Sequence, residues 1–572
     1  MCGIFGILNA EENTRTKHSD LLKCFQKGKN RGPEFSTLNN YDNTCIGFHR
    51  LAINGLNNIS NQPFEINNII LVCNGEIYNF KQLAQENSIV LTTESDCEII
   101  LHLYHKHGIE YTLSILDGVF AFILYDKNIN KIIIGRDPYG VRPLYYFHEN
   151  NIIAFASELK VLYPLSLNKK NINHFIPGNY MIIDNNNNNN NNINYINKKY
   201  TSFPCSNNKF YLNTTLYNNI VENLHNAVEK RVIGTCERPI GCLLSGGLDS
   251  SLVAALVNKF YISDQPLQTF SIGLPGSEDL KYAAIVAKHL GTKHHEILLT
   301  EDQFFDSIPE VIKNIESYDT TTVRASVGNY LVGKYIKENT DCKVIFNGDG
   351  ADELMGGYLY CRKAPNEYEF DKECKRLLKD IHMYDVLRSD RCIASHGLEP
   401  RTPFLDRQWV EFYLSIDRNL RFETTKNKCE KYLIRKSFHE VAFQLLPTEI
   451  LWRTKEAFSD GVSSLTKSWF QIINEKINNL TVNDSALQYK LLSLMNMYDE
   501  FPISNNKPTT FEQAYYRYIY NKHYQATDHL INYYWMPKFV NSNDSSARTL
   551  KFYNENNTNN TNNTNYTNNS NI

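Results

Sequence analysis

Between Cys242 and Val257 the chain reads CLLSGGLDSSLVAALV: an apolar strand-like run, then Ser245, Gly246, Gly247 and Leu248, then Asp249, Ser250, Ser251 and an apolar helix-like run. Glycines let a backbone turn its N–H groups toward an anion, and a helix starting there adds the positive end of its dipole, so this stretch predicts a phosphate site. It lacks the lysine of a G-x-x-x-x-G-K-[ST] loop and the G-x-G-x-x-G fingerprint, and so is neither a Walker-type nor a dinucleotide loop. Working outward, strand-like and helix-like runs alternate. The helical TLYNNIVENLHNAVEKRV (Thr215–Val232) precedes the loop; QTFSIGL (Gln268–Leu274), DLKYAAIVAKHLG (Asp279–Gly291), HHEILL (His294–Leu299), a single helix in DQFFDSIPEVIKNIE (Asp302–Glu316) and KVIFNG (Lys343–Gly348) follow it. Such alternation predicts an α/β doubly wound parallel sheet with ligand sites at the carboxyl ends of its strands. From about Tyr368 onward, helical runs rich in Tyr, Leu and Arg predict an all-α cover on that sheet.

The strand KVIFNG opens into an acidic turn, Gly348, Asp349, Gly350, Ala351, Asp352 and Glu353, at the same sheet edge as Asp249. Carboxylates joined by substrate phosphates suit Mg²⁺. Taken alone, SGG is a tight turn with Asp249 as helix cap, and GDGADE is a solvated loop; only their shared position at strand ends argues for a site. His294 and His295 read as structural, since no third ligand sits at suitable spacing.

The first part of the chain has another texture. IFGIL, CIGFHRLAI, IILVCNG, VFAFILYD, KIIIGRD, PLYYF and IIAFAS are short strand-like runs, interrupted by a helical pattern in DCEIILHLYHKHG (Asp96–Gly108). This predicts a strand-rich α+β domain over residues 1–184. Asparagine tracts cannot build a core. They mark a linker at 185–212 and a disordered tail at 541–572, leaving 213–540 as the second domain.

With 572 residues, 42% hydrophobic content and a net charge of −3, the chain has ample core material and no basic footprint for nucleic acid. Its 13 cysteines are scattered, with no C-x-x-C pair, and suit a reducing compartment. No basic n-region precedes the short apolar opening, and no stretch approaches the ~18 apolar residues of a membrane span. A cytosolic location with no membrane partner is the expectation.

Several motifs in one order carry a resemblance. SGGLDSS (Ser245–Ser251) resembles the pyrophosphate loop of ATP pyrophosphatases. Together with GLPGSEDL (Gly273–Leu280), ESYDTTTVRAS (Glu316–Ser326), GDGADELMGGY (Gly348–Tyr358), GLEPRTPFLD (Gly397–Asp406) and WRTKEAFSDGV (Trp452–Val462), it resembles the adenylating half of glutamine-hydrolysing asparagine synthetases. The opening MCGIFG resembles their glutaminase half, an N-terminal-nucleophile hydrolase-like domain whose mature chain begins at cysteine. A cysteine in second place is by itself an ordinary small apolar residue. Set in this family, Cys2 carries both a thiol and, once Met1 is removed, the amine that moves its proton.

The resemblance implies roles residue by residue. Asn74 and Gly75 of NGEIYN would form an oxyanion hole, and Arg50, Leu51, Ala52, Ile53, Asn54, Glu76 and Asp96 would bind L-glutamine, with Arg50 on its carboxylate and Asp96 on its ammonium. RGPE (Arg31–Glu34) and RDPYGVRPLYY (from Arg136) read as scaffold; Glu34, Asn54 and Gly55 depart from the usual residues. Leu243, Ile272, Asn347 and Gly348 would hold the adenosine of ATP. Ser245, Gly246, Gly247, Leu248, Asp249 and Ser250 would hold its pyrophosphate, and Asp249 with Asp352 the Mg²⁺. Thr321, Thr322 and Arg324 would bind L-aspartate, Lys455 would neutralise the α-phosphate, and Asp349, a glutamate in many relatives, would act on incoming ammonia. The implied reaction turns aspartate, ATP and glutamine into asparagine, AMP, pyrophosphate and glutamate, with ammonia passing internally and a tendency to form homodimers. Other readings are an amidotransferase or cyclising synthetase acting on another carboxylate, which the Thr321, Thr322, Arg324 set and Cys2 argue against. A non-catalytic relative would have been expected to lose Cys2 or Asp249.

Overall fold

A computed structural model describes residues 2–9, 18–185, 193–206, 208–234, 237–496 and 506–550. Two six-stranded antiparallel sheets form the first domain. One runs in the order Asn173–His174, Tyr145–Glu149, Ile152–Ala156, Gly3–Leu8, Thr44–Arg50, Phe35–Tyr41; the other runs Asn194–Lys199, Asn179–Asp184, Lys131–Arg136, Gly118–Asp126, Ile69–Ile77, Phe64–Ile66. Strand alternation sorts the side chains. Ile4 and Leu8 face the second sheet, packing with Ile70, Val72, Ile123 and Ile134, while Phe5 and Ile7 face Leu21, Phe25 and Leu159. A Cβ on Gly6 would stand 2.8 Å from Ile123 Cδ1, so the sheets close on a bare backbone there. Helices Phe80–Glu86, Ile99–His107 and Ile109–Ile115 cover the far face of the second sheet.

The second domain has a five-stranded parallel sheet in the order Lys293–Leu298, Gln268–Gly273, Ile240–Leu243, Val344–Phe346, Glu399–Arg401. Its central strands Ile240–Leu243 and Val344–Phe346 are apolar because helices lie on both faces, while the edge strand Lys293–Leu298 is polar and largely exposed. Thr214–Ile233, Leu248–Phe260 and Tyr432–Val441 share one core, and Thr320–Asn339 and Asp385–Ala394 contribute to another on the opposite face.

Four elements differ from the sequence reading. The helix expected over 302–316 is two, Glu301–Asp306 and Ile308–Ile315, because Ser307 separates them and Pro309 opens the second. Glu399–Arg401 is a strand inside the region read as all-helical. Asn194–Lys199, placed in the expected linker, is an exposed edge strand paired along its length with Asn179–Asp184. Residues 541–550, counted with the expected tail, pack on the second domain. The Asn tract at 186–192 and everything beyond Leu550 lie outside the described residues. No helix among the described residues is long and apolar enough to cross a membrane.

The two domains are joined through buried charge. Arg31, fully buried, forks onto both oxygens of Asp390 at 2.6 and 3.1 Å, and Arg142 lies 3.5 Å from Glu399. Glu316 accepts hydrogen bonds from the backbone N–H groups of Leu159 and Lys160, opening a helix of the first domain from the second. Buried ions persist only when so paired.

Candidate active sites

Cys2 directly precedes the strand Gly3–Leu8, and Asn74 lies in the strand Ile69–Ile77 of the facing sheet, so the sandwich brings them together. The Cys2 backbone nitrogen donates to Asn74 Oδ1 at 2.9 Å, and Arg31 Nε donates to the Cys2 carbonyl at 2.9 Å. Asn74 is fully buried and its Nδ2 has no hydrogen-bond partner, an orphaned donor on the side chain that holds the Cys2 nitrogen. Gly75 must be glycine: a Cβ would stand 2.5 Å from the Val119 carbonyl oxygen across the strand pair. Burial pushes the Cys2 thiol pKa up, and the N-terminal charge and Arg50 pull it back.

The carboxylates expected around glutamine also gather here. Asp96 accepts from the Ile77 N–H at 2.6 Å, and burial raises its pKa to about 6. Asn54 Nδ2 donates to Glu76 at 2.9 Å and reaches Asp96 at 3.5 Å, so an amide bridges two acids where an acidic residue would repel them. Glu76 lies 3.3 Å from Arg401 of the second domain, and burial followed by the Asp96 charge holds its pKa well above the carboxylate range. Arg50 is less free than expected. Its guanidinium donates to the carbonyls of Asn54, Gly55 and Asn57 and to Asn61 Oδ1, shaping the loop that follows its strand. Glu34 accepts from the Ala52 N–H at 2.7 Å and pairs with Arg238 at 3.1 Å.

In the second domain a cavity of about 170 Å³ opens at the carboxyl ends of the central strands. Leu243, Ser245, Gly247, Leu248, Asp249 and Ser250 line it from one strand end, Ile272 from the next, and Asn347, Gly348, Asp349 and Asp352 from a third. Gly246 stays outside. Its φ of +69° turns the loop, and a Cβ would meet backbone atoms of Tyr282 and Ala283 at 2.4 Å. Ser245 and Ser250 hydroxyls join at 3.0 Å, setting the loop at the start of helix Leu248–Phe260. A Cβ on Gly348 would stand 2.8 Å from Asp249 Cβ, so the two acidic loops touch through that glycine. Asn347 turns its amide to Ser389 Oγ at 2.6 Å.

One side of the cavity pairs lysines with carboxylates. Lys431, 1% exposed, donates to Asp249 Oδ2 and Asp352 Oδ1 at 2.6 Å each, and Lys455 lies 2.5 Å from Asp352 Oδ2. Despite burial, the two ammonium groups hold the Asp352 carboxyl far below its usual range, and Asp352 and Asp249 hold the Lys455 ammonium above its own. Asp249 Oδ1 is buried without a hydrogen-bond partner. These two carboxylates fit Mg²⁺, which takes one or two protein carboxylates and completes its shell with phosphate and water. No group of three or more His, Cys, Asp or Glu placed for a metal ion occurs among the described residues. His294 is engaged at both ring nitrogens, by Thr269 at 2.9 Å and Ser271 at 3.0 Å.

At the other side, Arg388 donates to Asp349 at 3.0 Å and Asp385 at 2.8 Å, while burial raises the Asp349 pKa. Thr321 lines this wall. Thr322 instead donates its hydroxyl to Asp319 Oδ2 at 2.7 Å, the carboxylate that caps this helix. Arg324 departs most from the sequence reading: it does not line the cavity, and its buried guanidinium forks onto Glu512 at 2.8 and 2.6 Å and onto Asp544 at 2.7 and 2.8 Å. Two carboxylates satisfy it within the protein. Arg388, Lys431, Asp385 and Glu353 line the cavity and were missed in the sequence. Asp385 and Arg388 lie on the buried helix Asp385–Ala394 and Lys431 just before the helix Tyr432–Val441, in stretches with no motif to mark them; only Glu353, inside GDGADE, carried a signal.

A thiol–amide centre in one domain and a phosphate-loop centre in the other define a two-centre amidotransferase joined to a ligase. A glutamine amidotransferase domain model matches residues 1–206, and an asparagine synthase model matches 219–369 and 362–529. Asparagine synthetases [glutamine-hydrolyzing] of Gallus gallus and Homo sapiens are 43% and 41% identical over 578 and 577 residues, covering 97% of this chain and 99% of each relative. That of Mus musculus is 42% identical with the same coverage. The chain belongs to the glutamine-hydrolysing asparagine synthetase family.

Proposed function

We propose that this chain works as a glutamine-dependent asparagine synthetase in which Cys2 releases ammonia and the second-domain cavity consumes it. Removal of Met1 leaves Cys2 with a free amine at the nitrogen that Asn74 Oδ1 holds. The amine takes the thiol proton, sulfur attacks the glutamine side-chain carbonyl, and the oxyanion forms where the Asn74 Nδ2 and the Gly75 N–H can donate. Collapse expels ammonia and leaves a γ-glutamyl thioester, which water hydrolyses to glutamate. Asp96, ionised above about pH 6, supplies negative charge for the substrate ammonium, and the protonated Glu76 beside it offers a neutral acceptor oxygen.

In the cavity, the loop from Ser245 to Ser250 receives the pyrophosphate part of ATP. Asp249 and Asp352 are the residues that would hold Mg²⁺, whose chemistry is to neutralise phosphate charge. Lys431 and Lys455 add two fixed cations at the same side. The aspartate β-carboxylate attacks the α-phosphorus and pyrophosphate leaves; ammonia then attacks the β-aspartyl carbonyl and AMP leaves. Asp349 stands ready to take the ammonia proton. Arg388 and Thr321 suit the α-carboxylate of aspartate, and Asp385 its ammonium; Arg324 supports the wall from behind.

The observation that carries this reading is Arg401. Its guanidinium lies 3.3 Å from Glu76 in the glutamine site, while its carbonyl accepts from the Asn347 N–H at 3.0 Å in the cavity. One three-residue strand therefore borders both centres, which favours direct passage of ammonia over release. The test is a product assay with labelled aspartate, ATP and Mg²⁺, supplied with glutamine or with ammonium. Asparagine and AMP from both donors, with Cys2→Ala retaining only the ammonium reaction, is expected. Omitting Mg²⁺ should stop AMP formation and leave glutamate release intact. Glutamate without asparagine or AMP under full conditions would sink the aspartate assignment.

A further inference from the structure

After the helix Phe511–Tyr524 the chain keeps only two short 3-10 turns, Asp528–Leu530 and Ala547–Thr549, and bonds in turn to two segments that carry cavity-lining residues, Thr321 and Glu456. The Trp535 N–H donates to Asp319 Oδ1 at 2.8 Å, and the Trp535 carbonyl accepts from Thr321 Oγ1 at 3.4 Å, at the start of helix Thr320–Asn339. Farther on, Asp544 grips Arg324 of the same helix. The chain then changes wall. Ser546, buried, donates to Asp460 Oδ1 at 2.7 Å, and Arg548 forks onto Glu456 at 3.2 and 2.9 Å while donating to the Ser464 carbonyl at 2.7 Å. Glu456 follows Lys455 directly and lines the cavity.

The loop that carries Lys455 has little structure of its own: residues 453–457 belong to no helix or strand. From beneath it is tied by Arg453 to Asp279 at 2.9 Å and by the Lys455 N–H to Glu430 at 3.0 Å. Arg548 ties it through Glu456, and Ser546 holds Asp460 in the short helix Phe458–Gly461 that follows the loop. We propose that Asp544, Ser546 and Arg548 are positioning residues of a C-terminal strap that fastens the aspartate-side helix and the Lys455 loop to each other. The strap touches no substrate; it acts by fixing where the Lys455 ammonium stands relative to the phosphate loop. A cation displaced by an ångström loses much of its hold on the transition state, so geometry held at a distance governs rate.

This inference rests on the reading of the cavity as the adenylating site, and its test separates the two. Arg548→Met, Arg548→Lys, Ser546→Ala and Asp544→Asn are assayed for asparagine and AMP with ammonium as donor, alongside glutamate release by the first domain. Wild-type protein that forms no AMP would refute the adenylating reading; the strap is judged against active wild type. Arg548→Met should lower kcat for AMP formation by about 10- to 100-fold. Asp544→Asn should chiefly raise KM for aspartate, Arg548→Lys should recover part of the loss, and glutamate release should stay within about twofold. Hydrogen exchange should quicken over residues 453–464 and leave the sheets of the first domain unchanged. Unchanged kcat and KM in all four variants would overturn the strap, as would loss of exchange protection and glutamate release across both domains in step with synthesis.

Discussion

Asn74 accepts from the Cys2 nitrogen through its oxygen and keeps its Nδ2 unpartnered, and the proposed mechanism assigns that Nδ2 to the developing oxyanion. Asn74→Ala should therefore lower kcat for glutamine hydrolysis about 10²- to 10³-fold, the usual cost of one oxyanion donor, while ammonium-dependent synthesis persists. Steady-state assays with both donors check this. Asp96 predicts a pH dependence. Its carboxyl, raised to about 6, is neutral below that pH and ionised above it, so kcat/KM for glutamine should fall as pH drops through about 6 and lose that step in Asp96→Asn. The stability sign is opposite to that of a salt-bridged acid: the folded state holds a proton that the unfolded chain releases from about pH 3.9 upward, so this group destabilises as pH rises toward 6. Cys2, Asn74, Gly75 and Asp96 were legible as motif residues. The Asn54 bridge was not, because an amide between two acids has no signature along the chain.

The loop from Ser245 to Ser250 shows how much an element owes to one dihedral. Gly246 sits at φ +69° with backbone of Tyr282 and Ala283 pressed against it. Gly246→Ala should cost more than about 1 kcal/mol and stop AMP formation, with glutamate release continuing. Urea denaturation and the product assay read the two effects. The loop, its strand and its helix were legible because apolar runs flank a glycine pair. The strand Glu399–Arg401 was not: three residues containing a proline show no period, and only pairing with Val344–Phe346 makes them a strand. The edge strand Asn194–Lys199 hid for a related reason, since NYINKK is exposed throughout and its backbone pairing alone defines it.

Across the molecule, buried ions join the centres. Asp390 neutralises Arg31, which holds the Cys2 carbonyl, and it lies on the helix Asp385–Ala394 that also presents Arg388 to Asp349. Asp390→Ala leaves a fully buried guanidinium without that partner. It should destabilise the protein by about 3–5 kcal/mol in denaturant unfolding and slow glutamine hydrolysis as well. A fall in synthesis alone would place Asp390 with the second centre only.

Local chemistry settled the broad outline from the amino acids: short apolar strand-like runs in the first domain, strand–helix alternation in the second, and motif residues whose types suit thiol and phosphate chemistry. Those features depend on neighbours in the chain. The partners of each charge depend on neighbours in space, and here folding decided. It placed Lys431 between Asp249 and Asp352, spent Arg324 on Glu512 and Asp544 behind the cavity wall, and put Arg388 on the open side. An arginine in a motif is free or satisfied according to which carboxylates the fold carries to it, and those lie 188 and 220 residues away along the chain.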